Sequence, residues 1–252
     1  MKIGFTLYRP DLDESNANRH QAIELATKAC EKGADLVLTP EEATYDRKNV
    51  ETYWNLHWNR KYRQGTRNLQ VISTEEQLAP FKELTKKYGN AIGVGFIEFT
   101  QDALFNSYAL VSGDDVSIRR KAIQAHDWDV YLCDQNNASS YEAALGPNGS
   151  TVPIRLKECE YQILSLICRE VDQNKGCILQ ARIPADLIVI PSYGLGEFEC
   201  NRFMSGLLTR ENVLKVGGTV AYCDGKLPFA RVFSGYSRVF DAIGSGIHIA
   251  EI

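Results

Sequence analysis

Apolar residues recur with a helical period in two segments of the chain. Residues 19–32 place five small or apolar side chains on one face, namely Ala22, Ile23, Ala26, Ala29 and Cys30. Gly33 follows as a natural helix end. Residues 74–88 have the same period, and a hydroxyl residue precedes an acid or amide by three positions, at Ser73 and Glu76 or at Thr74 and Gln77. Both segments are predicted to be amphipathic helices.

Shorter apolar runs without that period predict β-strands. They cover residues 35–39, 91–97, 104–112, 116–121, 161–168 and 186–191, with several short strands in the tail 218–251. Gly113-Asp114-Asp115 is typical of a hairpin turn. Two further helices are predicted, one from 169 to about 180 and one over 200–216 that ends at Gly217-Gly218.

Two long segments carry no clear period. Residues 43–73 are polar and aromatic and predict an excursion near the strand ends, whereas 126–153 is rich in Asn, Ser, Gly and Pro and predicts a long loop. Neither an internal repeat nor a linker is present, so residues 1–252 are expected to form one domain. Hairpins mixed with strand–helix units favour an α/β sandwich of two sheets with helices outside.

Composition narrows the function classes. The chain has 252 residues, 44% of them hydrophobic, which is enough for a full core, and its net charge of −4 offers no basic surface for nucleic acid. We find no signal-peptide stretch and no run of the ~20 apolar residues that span a bilayer, so a soluble cytoplasmic protein is expected.

The seven cysteines argue against a disulfide framework and against zinc. Their number is odd and no Cys-x-x-Cys pair occurs. Cys159, Cys168 and Cys177 are evenly spaced, but nine residues apart, unlike structural zinc motifs. Neither a metal nor a cofactor is expected.

Three apolar runs end at residues able to do chemistry. Glu41 follows Pro40, Lys121 ends the run 116–121, and Cys168 ends the run 164–168. Taken singly, each residue also has a purely structural interpretation. Glu41 could be a solvated turn acid or an N-cap, Lys121 a solvated lysine at a strand end, and Cys168 a packed core thiol. Because sites assemble at strand ends in α/β folds, their occurrence together favours a functional site.

The surroundings of these residues resemble the nitrilase superfamily of carbon–nitrogen hydrolases. The resemblance covers nearly the whole chain. It is carried, in order, by Lys2-Ile3-Gly4-Phe5, Pro40-Glu41, Ile92-Gly93-Val94-Gly95-Phe96, Leu104-Phe105-Asn106-Ser107-Tyr108-Ala109-Leu110, Arg120-Lys121, Ile167-Cys168-Arg169-Glu170, Ala185-Asp186-Leu187-Ile188-Val189-Ile190-Pro191-Ser192, Glu211-Asn212 and Phe233-Ser234-Gly235-Tyr236-Ser237. It implies a four-layer α-β-β-α sandwich and a homodimer.

The resemblance also implies the roles of the site residues. Cys168 would be the nucleophile, Glu41 the proton carrier and Lys121 the cation facing the oxyanion, with a thioester as intermediate. The backbone N–H of Arg169 is a candidate second oxyanion donor. Its side chain stands where the family commonly has an aromatic residue, so it favours an acidic substrate unless it pairs with a neighbour such as Glu170. Glu142 is a candidate second acid, or else a solvated loop residue.

These roles predict a hydrolase that cleaves the carbon–nitrogen bond of a small, non-peptide amide or carbamoyl compound. A nitrilase would use the same three residues and stays an alternative, as does a non-catalytic binding protein, although the intact set of three argues against the latter. Glu41 rather than Glu42 is expected to be the base, because adjacent residues leaving a strand face opposite ways.

Overall fold

The computed structural model describes residues 1–11, 17–57, 72–100, 104–121, 151–171, 185–194, 214–235 and 237–252. These residues contain three α-helices: α1 (Ala17–Glu31), α2 (Arg47–His57) and α3 (Thr74–Tyr88). They also contain twelve strands: β1 (Lys2–Leu7), β2 (Leu36–Leu38), β3 (Ala91–Phe99), β4 (Leu104–Ser112), β5 (Asp115–Arg120), β6 (Val152–Leu156), β7 (Cys159–Ser165), β8 (Ala185–Ser192), β9 (Leu214–Asp224), β10 (Phe229–Ser234), β11 (Ser237–Ile243) and β12 (Gly246–Glu251). No helix in the described ranges is long and apolar enough to cross a membrane.

The strands form two six-stranded sheets built on the same plan. The first has the order β12-β1-β2-β3-β4-β5 and the second β11-β10-β9-β8-β7-β6. Three central strands run parallel in each sheet, β1-β2-β3 and β7-β8-β9, and antiparallel strands flank them. The predicted sandwich of two sheets is therefore confirmed.

Alternating side chains explain how the layers stack. Ile3, Phe5 and Leu7 of β1 are fully buried in the core between the sheets, as the period-2 pattern of a strand requires. Gly4, between them, faces α1, and a Cβ there would lie 3.2 Å from that of Ala29. Phe81 of α3 packs in the cluster on the same outer face of the first sheet. A helix layer on the second sheet is predicted within residues that lie outside the described ranges.

Both periodic helices are confirmed. In α3, Ser73 Oγ accepts the N–H of Glu76, and the Glu76 carboxylate accepts the N–H of Ser73. The helix ends at Gly89, which has the left-handed φ of 65°. Helix α2 lies in the segment 43–73, for which no period was recognised. Asp46 caps it by accepting the N–H of Asn49.

Several predicted element boundaries are wrong. Strand β7 ends at Ser165, and Cys168 lies in a 3₁₀ turn, Cys168–Val171, where a strand end and the start of a helix were expected. Leu166 and Ile167 are as deeply buried as the last residues of β7. Hydrophobicity alone therefore does not show that the hydrogen-bonded strand has ended. The remainder of that predicted helix, 172–184, lies outside the described residues.

Two strands replace elements of another kind. Leu214–Asp224 is β9, so the predicted helix 200–216 is wrong at its end, and its residues 200–213 are outside the described ranges. Likewise residues 126–150 of the predicted loop 126–153 are not described, but Val152 already begins β6, which pairs with β7 through a tight turn. In both cases cross-strand pairing outweighs local sequence preference.

Candidate active site

The three predicted residues lie just beyond the ends of strands from both sheets. Glu41 follows β2, Lys121 follows β5 and Cys168 follows β7. All three are almost completely buried, with relative exposures of 2%, 2% and 4%. Lys121 Nζ lies 2.8 Å from Glu41 Oε1, and the charges of both residues act on the Cys168 thiol. The structure therefore brings together the three side chains named from the sequence.

Glu41 is positioned by a turn that packs directly on the backbone of β3. Thr39 donates its N–H to the carbonyl of Gly93, and Thr39 Oγ1 accepts the N–H of Gly95 at 3.0 Å. A Cβ on Gly95 would overlap the carbonyl oxygen of Pro40 and lie 2.8 Å from the nitrogen of Glu42. Glycine at position 95 thus supplies the space in which the turn of Glu41 sits.

The carboxylate of Glu41 accepts three hydrogen bonds. Lys121 Nζ and Asn106 Nδ2 donate to Oε1 at 2.8 and 2.9 Å, and the backbone N–H of Tyr193 donates to Oε2 at 2.8 Å. These donors come from both sheets, so the carboxylate orientation depends on how the sheets pack. In all three contacts the carboxylate oxygens are the acceptors, so the contacts fix the orientation of the group.

Asn106, in the middle of β4, positions both Glu41 and Lys121. Its side-chain amide contacts Glu41, and its backbone carbonyl accepts the N–H of Lys121 at 2.8 Å. Asn106 is fully buried. No role was expected for Asn106 from the sequence, although an amide inside an otherwise buried strand is a signal that could have identified it, because a buried amide needs partners.

Cys168 has an unusual backbone. Its φ is +51°, in the left-handed region that a non-glycine residue adopts at a cost of roughly 1–3 kcal/mol. A thiol on such a sharp turn after a buried strand resembles the strained turn that presents the nucleophile of α/β-hydrolases. Ser192 Oγ, at the end of β8, donates to Cys168 Sγ at 3.5 Å.

Opposing influences act on the pKa of the Cys168 thiol. Burial raises it far above its ordinary value, and the Glu41 carboxylate raises it further. Lys121, the Ser192 hydroxyl and the Tyr193 N–H lower it, without offsetting burial. The resting sulfur is consequently a neutral thiol, which needs a base in order to attack.

Glu42 contradicts one expectation from the sequence. It was expected to face away from Glu41, but it is 1% exposed, and its Oε1 accepts from the same Asn106 amide nitrogen at 3.3 Å. The alternation of a strand does not apply here, because Glu42 lies in a turn with φ +57°. Two carboxylates therefore belong to the buried cluster.

The loop after β8 is hydrogen-bonded to Asp224, for which no role was expected from the sequence. Asp224, at the end of β9, is fully buried and accepts the N–H of Gly194 at 3.1 Å and the hydroxyl of Tyr222 at 2.7 Å. Gly194 directly follows Tyr193, whose N–H contacts Glu41. An acid that ends an apolar strand is the same signal that identified Glu41.

Two predicted residues stay untested. Glu142 lies outside the described residues, as does the side chain of Arg169, whose backbone forms part of the 3₁₀ turn. Glu170, considered from the sequence as a partner of Arg169, is ion-paired with Arg119 at 3.4 Å. Within the described ranges, no group of three or more His, Cys, Asp or Glu side chains is arranged to hold a metal ion.

A family model decides the identity of the fold. The model described as carbon-nitrogen hydrolase matches residues 10–206, well over half of the chain. The chain belongs to the carbon–nitrogen hydrolase family. The family expected from its motifs is thereby confirmed, and no curated protein sequence matches this chain.

Solved structures share the fold of this chain at low sequence identity. One is a variant of the amidase from Nesterenkonia sp. AN1 with acrylamide added at its active-site cysteine; it is 15% identical, covers 100% of this chain and 93% of its own, and has a TM-score of 0.69. Another variant of that amidase carries the acetamide moiety of fluoroacetamide at the cysteine, with 15% identity, 100% and 90% coverage and a TM-score of 0.66.

A third similar structure belongs to a larger enzyme. It is the glutamine-dependent NAD⁺ synthetase from Acinetobacter baumannii in complex with ADP, 14% identical, with a TM-score of 0.67 over 98% of this chain and 44% of that one. At these identities the likeness establishes the fold, and it supports the four-layer sandwich of the nitrilase superfamily.

Proposed function

We propose that this protein is a thiol hydrolase that cleaves the carbon–nitrogen bond of a small, non-peptide amide or carbamoyl compound. In this proposal Cys168 is the nucleophile, Glu41 carries the proton and Lys121 stabilises the oxyanion. One observation carries the proposal: a buried thiol on a positive-φ turn is under the electrostatic influence of a carboxylate that Lys121 contacts at 2.8 Å. The cysteine-linked amides of the Nesterenkonia amidase structures support the same substrate class.

The hydrogen bonds of Glu41 leave it able to accept a proton. Oε1 receives two donors, Lys121 Nζ and Asn106 Nδ2, whereas Oε2 receives one, the Tyr193 N–H, from the described part of the chain. A carboxylate oxygen can accept two hydrogen bonds. Oε2 therefore has a lone pair for the thiol proton, while Lys121 contacts Oε1.

The reaction proceeds in two halves. The sulfur of Cys168 bonds to the carbonyl carbon while its proton moves to Glu41, and Lys121 with the N–H of Arg169 faces the new oxyanion. The carbon–nitrogen bond then breaks, the nitrogen leaves with the proton from Glu41, and a thioester remains. Water, deprotonated by Glu41, attacks the thioester, and the departing sulfur recovers a proton.

Acetamide and propionamide are suitable first substrates. Acetonitrile is tested in parallel to distinguish an amidase from a nitrilase. We expect ammonia release from the amides, and intact-protein mass spectrometry of quenched reactions should detect an acyl group on Cys168. Cys168→Ala should abolish release while the melting temperature stays within a few degrees, since few packing atoms are lost. Turnover by a folded Cys168→Ala variant would remove the thioester from the mechanism, and release from nitriles alone would make the protein a nitrilase.

Glu41→Gln and Glu42→Gln form a matched pair of variants. An amide at position 41 keeps the shape but cannot take the thiol proton, so single-turnover acylation should be lost. An amide at position 42 retains an oxygen that can accept from Asn106, so most of the acylation rate should remain. The opposite result, an active Glu41→Gln and an inactive Glu42→Gln, would assign the base to Glu42.

A further inference from the structure

An ion pair links the strand that carries the lysine to the turn that carries the cysteine. Arg119 lies on β5, two residues before Lys121, and Glu170 lies in the 3₁₀ turn, two residues after Cys168. Two of the three nitrogens of the Arg119 guanidinium, Nε and Nη2, lie 3.4 Å from Glu170 Oε2. The pair is enclosed, because the Glu170 side chain is fully buried and that of Arg119 is 14% exposed.

Glu170 also closes the turn that holds Cys168 at its positive φ. Its Oε2 accepts the N–H of Ile167 at 2.8 Å, and its own N–H donates to the carbonyl of Ile167 at 3.1 Å. These two bonds enclose Cys168, which lies between Ile167 and Glu170. A left-handed non-glycine residue persists only when its surroundings hold it there. The carboxylate that holds the turn is thus the one that Arg119 contacts.

Alternation along β5 explains why Arg119 performs this role and Arg120 does not. Residues 119 and 121 lie on one side of the strand, toward the cysteine turn, because side chains two apart in a strand share a face. Arg120 lies on the other side, where it contacts Glu98 at 2.7 Å. A buried ion pair of this kind stabilises weakly by itself but fixes a geometry.

We propose that Arg119 and Glu170 are positioning residues that set the separation between the Lys121 ammonium and the Cys168 sulfur across the two sheets. The pair touches no reacting atom. It acts by connecting β5 of the first sheet to the turn after β7 of the second. Lys121 directly follows β5, and Cys168 lies in that turn. This role rests on the function proposed above for Lys121 and Cys168.

The test compares Arg119→Met, Arg119→Lys and Glu170→Gln with the unmodified protein. For acetamide hydrolysis we expect Arg119→Met and Glu170→Gln to lower kcat by about 10²-fold with little change in KM, as displacements near 1 Å do at reacting centres. Glu170→Gln keeps an oxygen for the Ile167 N–H, so it isolates the loss of charge. Arg119→Lys should recover much of kcat, because the two contacting guanidinium nitrogens, Nε and Nη2, contact the same oxygen, Glu170 Oε2, and a single ammonium can replace them.

A second measurement does not depend on turnover. The rate of Cys168 labelling by iodoacetamide at pH 8, followed on its own peptide by mass spectrometry, reports the thiolate fraction. If Lys121 moves away from the sulfur, labelling should slow by about tenfold in Arg119→Met, since each pKa unit changes the thiolate fraction tenfold. Mere loosening of the turn would expose the buried thiol and speed labelling. The sign of the change therefore separates positioning from general destabilisation.

Arg231→Met is the matched control, because it removes another buried arginine that pairs with a carboxylate, Asp241, in the β10–β11 hairpin. It should lower the melting temperature without changing kcat or the labelling rate. Faster labelling or an unchanged kcat in folded Arg119→Met or Glu170→Gln would overturn the proposal. If the unmodified protein releases no ammonia from any amide while labelling still slows in these variants, the proposed function fails and the positioning role stands.

Discussion

Replacing Gly95 by alanine tests how the glutamate is positioned. Gly95 does not have a left-handed φ, so an alanine is conformationally acceptable there and any effect must come from space. The added Cβ would overlap the carbonyl oxygen of Pro40 and lie 2.8 Å from Glu42 N and 3.0 Å from Glu41 C. All three are backbone atoms, which cannot rotate away as a flexible side chain would.

The size of the effect follows from those distances. Ordinary contact for a Cβ begins at 3.4 Å, so the turn must retreat by about 0.6 Å from Glu42 N, and further from Pro40 O. Overpacking of this kind typically costs 1–3 kcal/mol of unfolding free energy. The retreat moves Glu41 relative to Lys121, and a misplacement near 1 Å costs about 10²-fold in rate.

The assay combines kcat for ammonia release from acetamide with a thermal melt. Gly4→Ala is the matched control: it also adds a methyl to a close-packed strand glycine, but its contacts are the side chains of Ala34, Ala29 and Ile249, outside the site. We expect both variants to melt earlier and only Gly95→Ala to lose about 10²-fold in kcat. A Gly95→Ala protein with unchanged kcat and melting temperature would refute the proposed packing of the turn on β3.

Two further predictions concern charged groups. Lys121→Met should lose at least about 10²–10³-fold in kcat, because it removes a charged oxyanion donor. Lys121→Arg should not restore the rate, since a planar guanidinium does not fit where Nζ contacts Glu41 at 2.8 Å. A kcat near that of the unmodified protein in either variant would exclude this role for Lys121. Burial tends to raise the pKa of Asp35, but the hydrogen bonds from Lys157 and the Lys2 N–H outweigh it and lower the pKa. The ionised Asp35 therefore stabilises the fold fully above its unfolded pKa near 4, and this stabilisation is lost as the pH falls through the lower folded pKa. Asp35→Asn should lower the free energy of unfolding by about 1 kcal/mol in urea melts at pH 7, and by progressively less below pH 4. An equal loss at pH 7 and pH 2.5 would contradict this assignment.

Local sequence determined the elements whose signals are themselves local. The bounds predicted for helix α3, 74–88, are those observed, because its cap signal, a hydroxyl residue at 73 or 74 with an acid or amide three positions on, is local to the segment. Strands β3 and β4 likewise follow from runs of buried side chains and a turn of Gly, Asp and Asp. The three residues proposed to carry the chemistry were recognised because each ends an apolar run.

Tertiary structure decided what distant segments do to one another. The turn of Cys168 interrupts a run that is uniformly buried, so composition gave no sign that the strand ends at Ser165. Gly217 and Gly218 read as a helix end, but they lie within strand β9, which pairs with β8 at Leu214 and again from Thr219 onward, and with β10 from Thr219 onward. Local preference is weak compared with the burial and hydrogen bonding that a sheet supplies.

The same distinction applies inside the site. Chemical type revealed Glu41, Lys121 and Cys168. The role of Asn106 depends on how β4 pairs with its neighbour in the first sheet, whereas the Arg119–Glu170 pair forms only when the two sheets pack face to face. Glu41 and Asn106 are 65 positions apart in sequence and 2.9 Å apart in space. No periodicity along the chain encodes such a contact, because it depends on the register of β4 against β3 and on the space left by Gly95. The sequence thus specifies the reactive groups, and the packing of two sheets sets the distances at which they act.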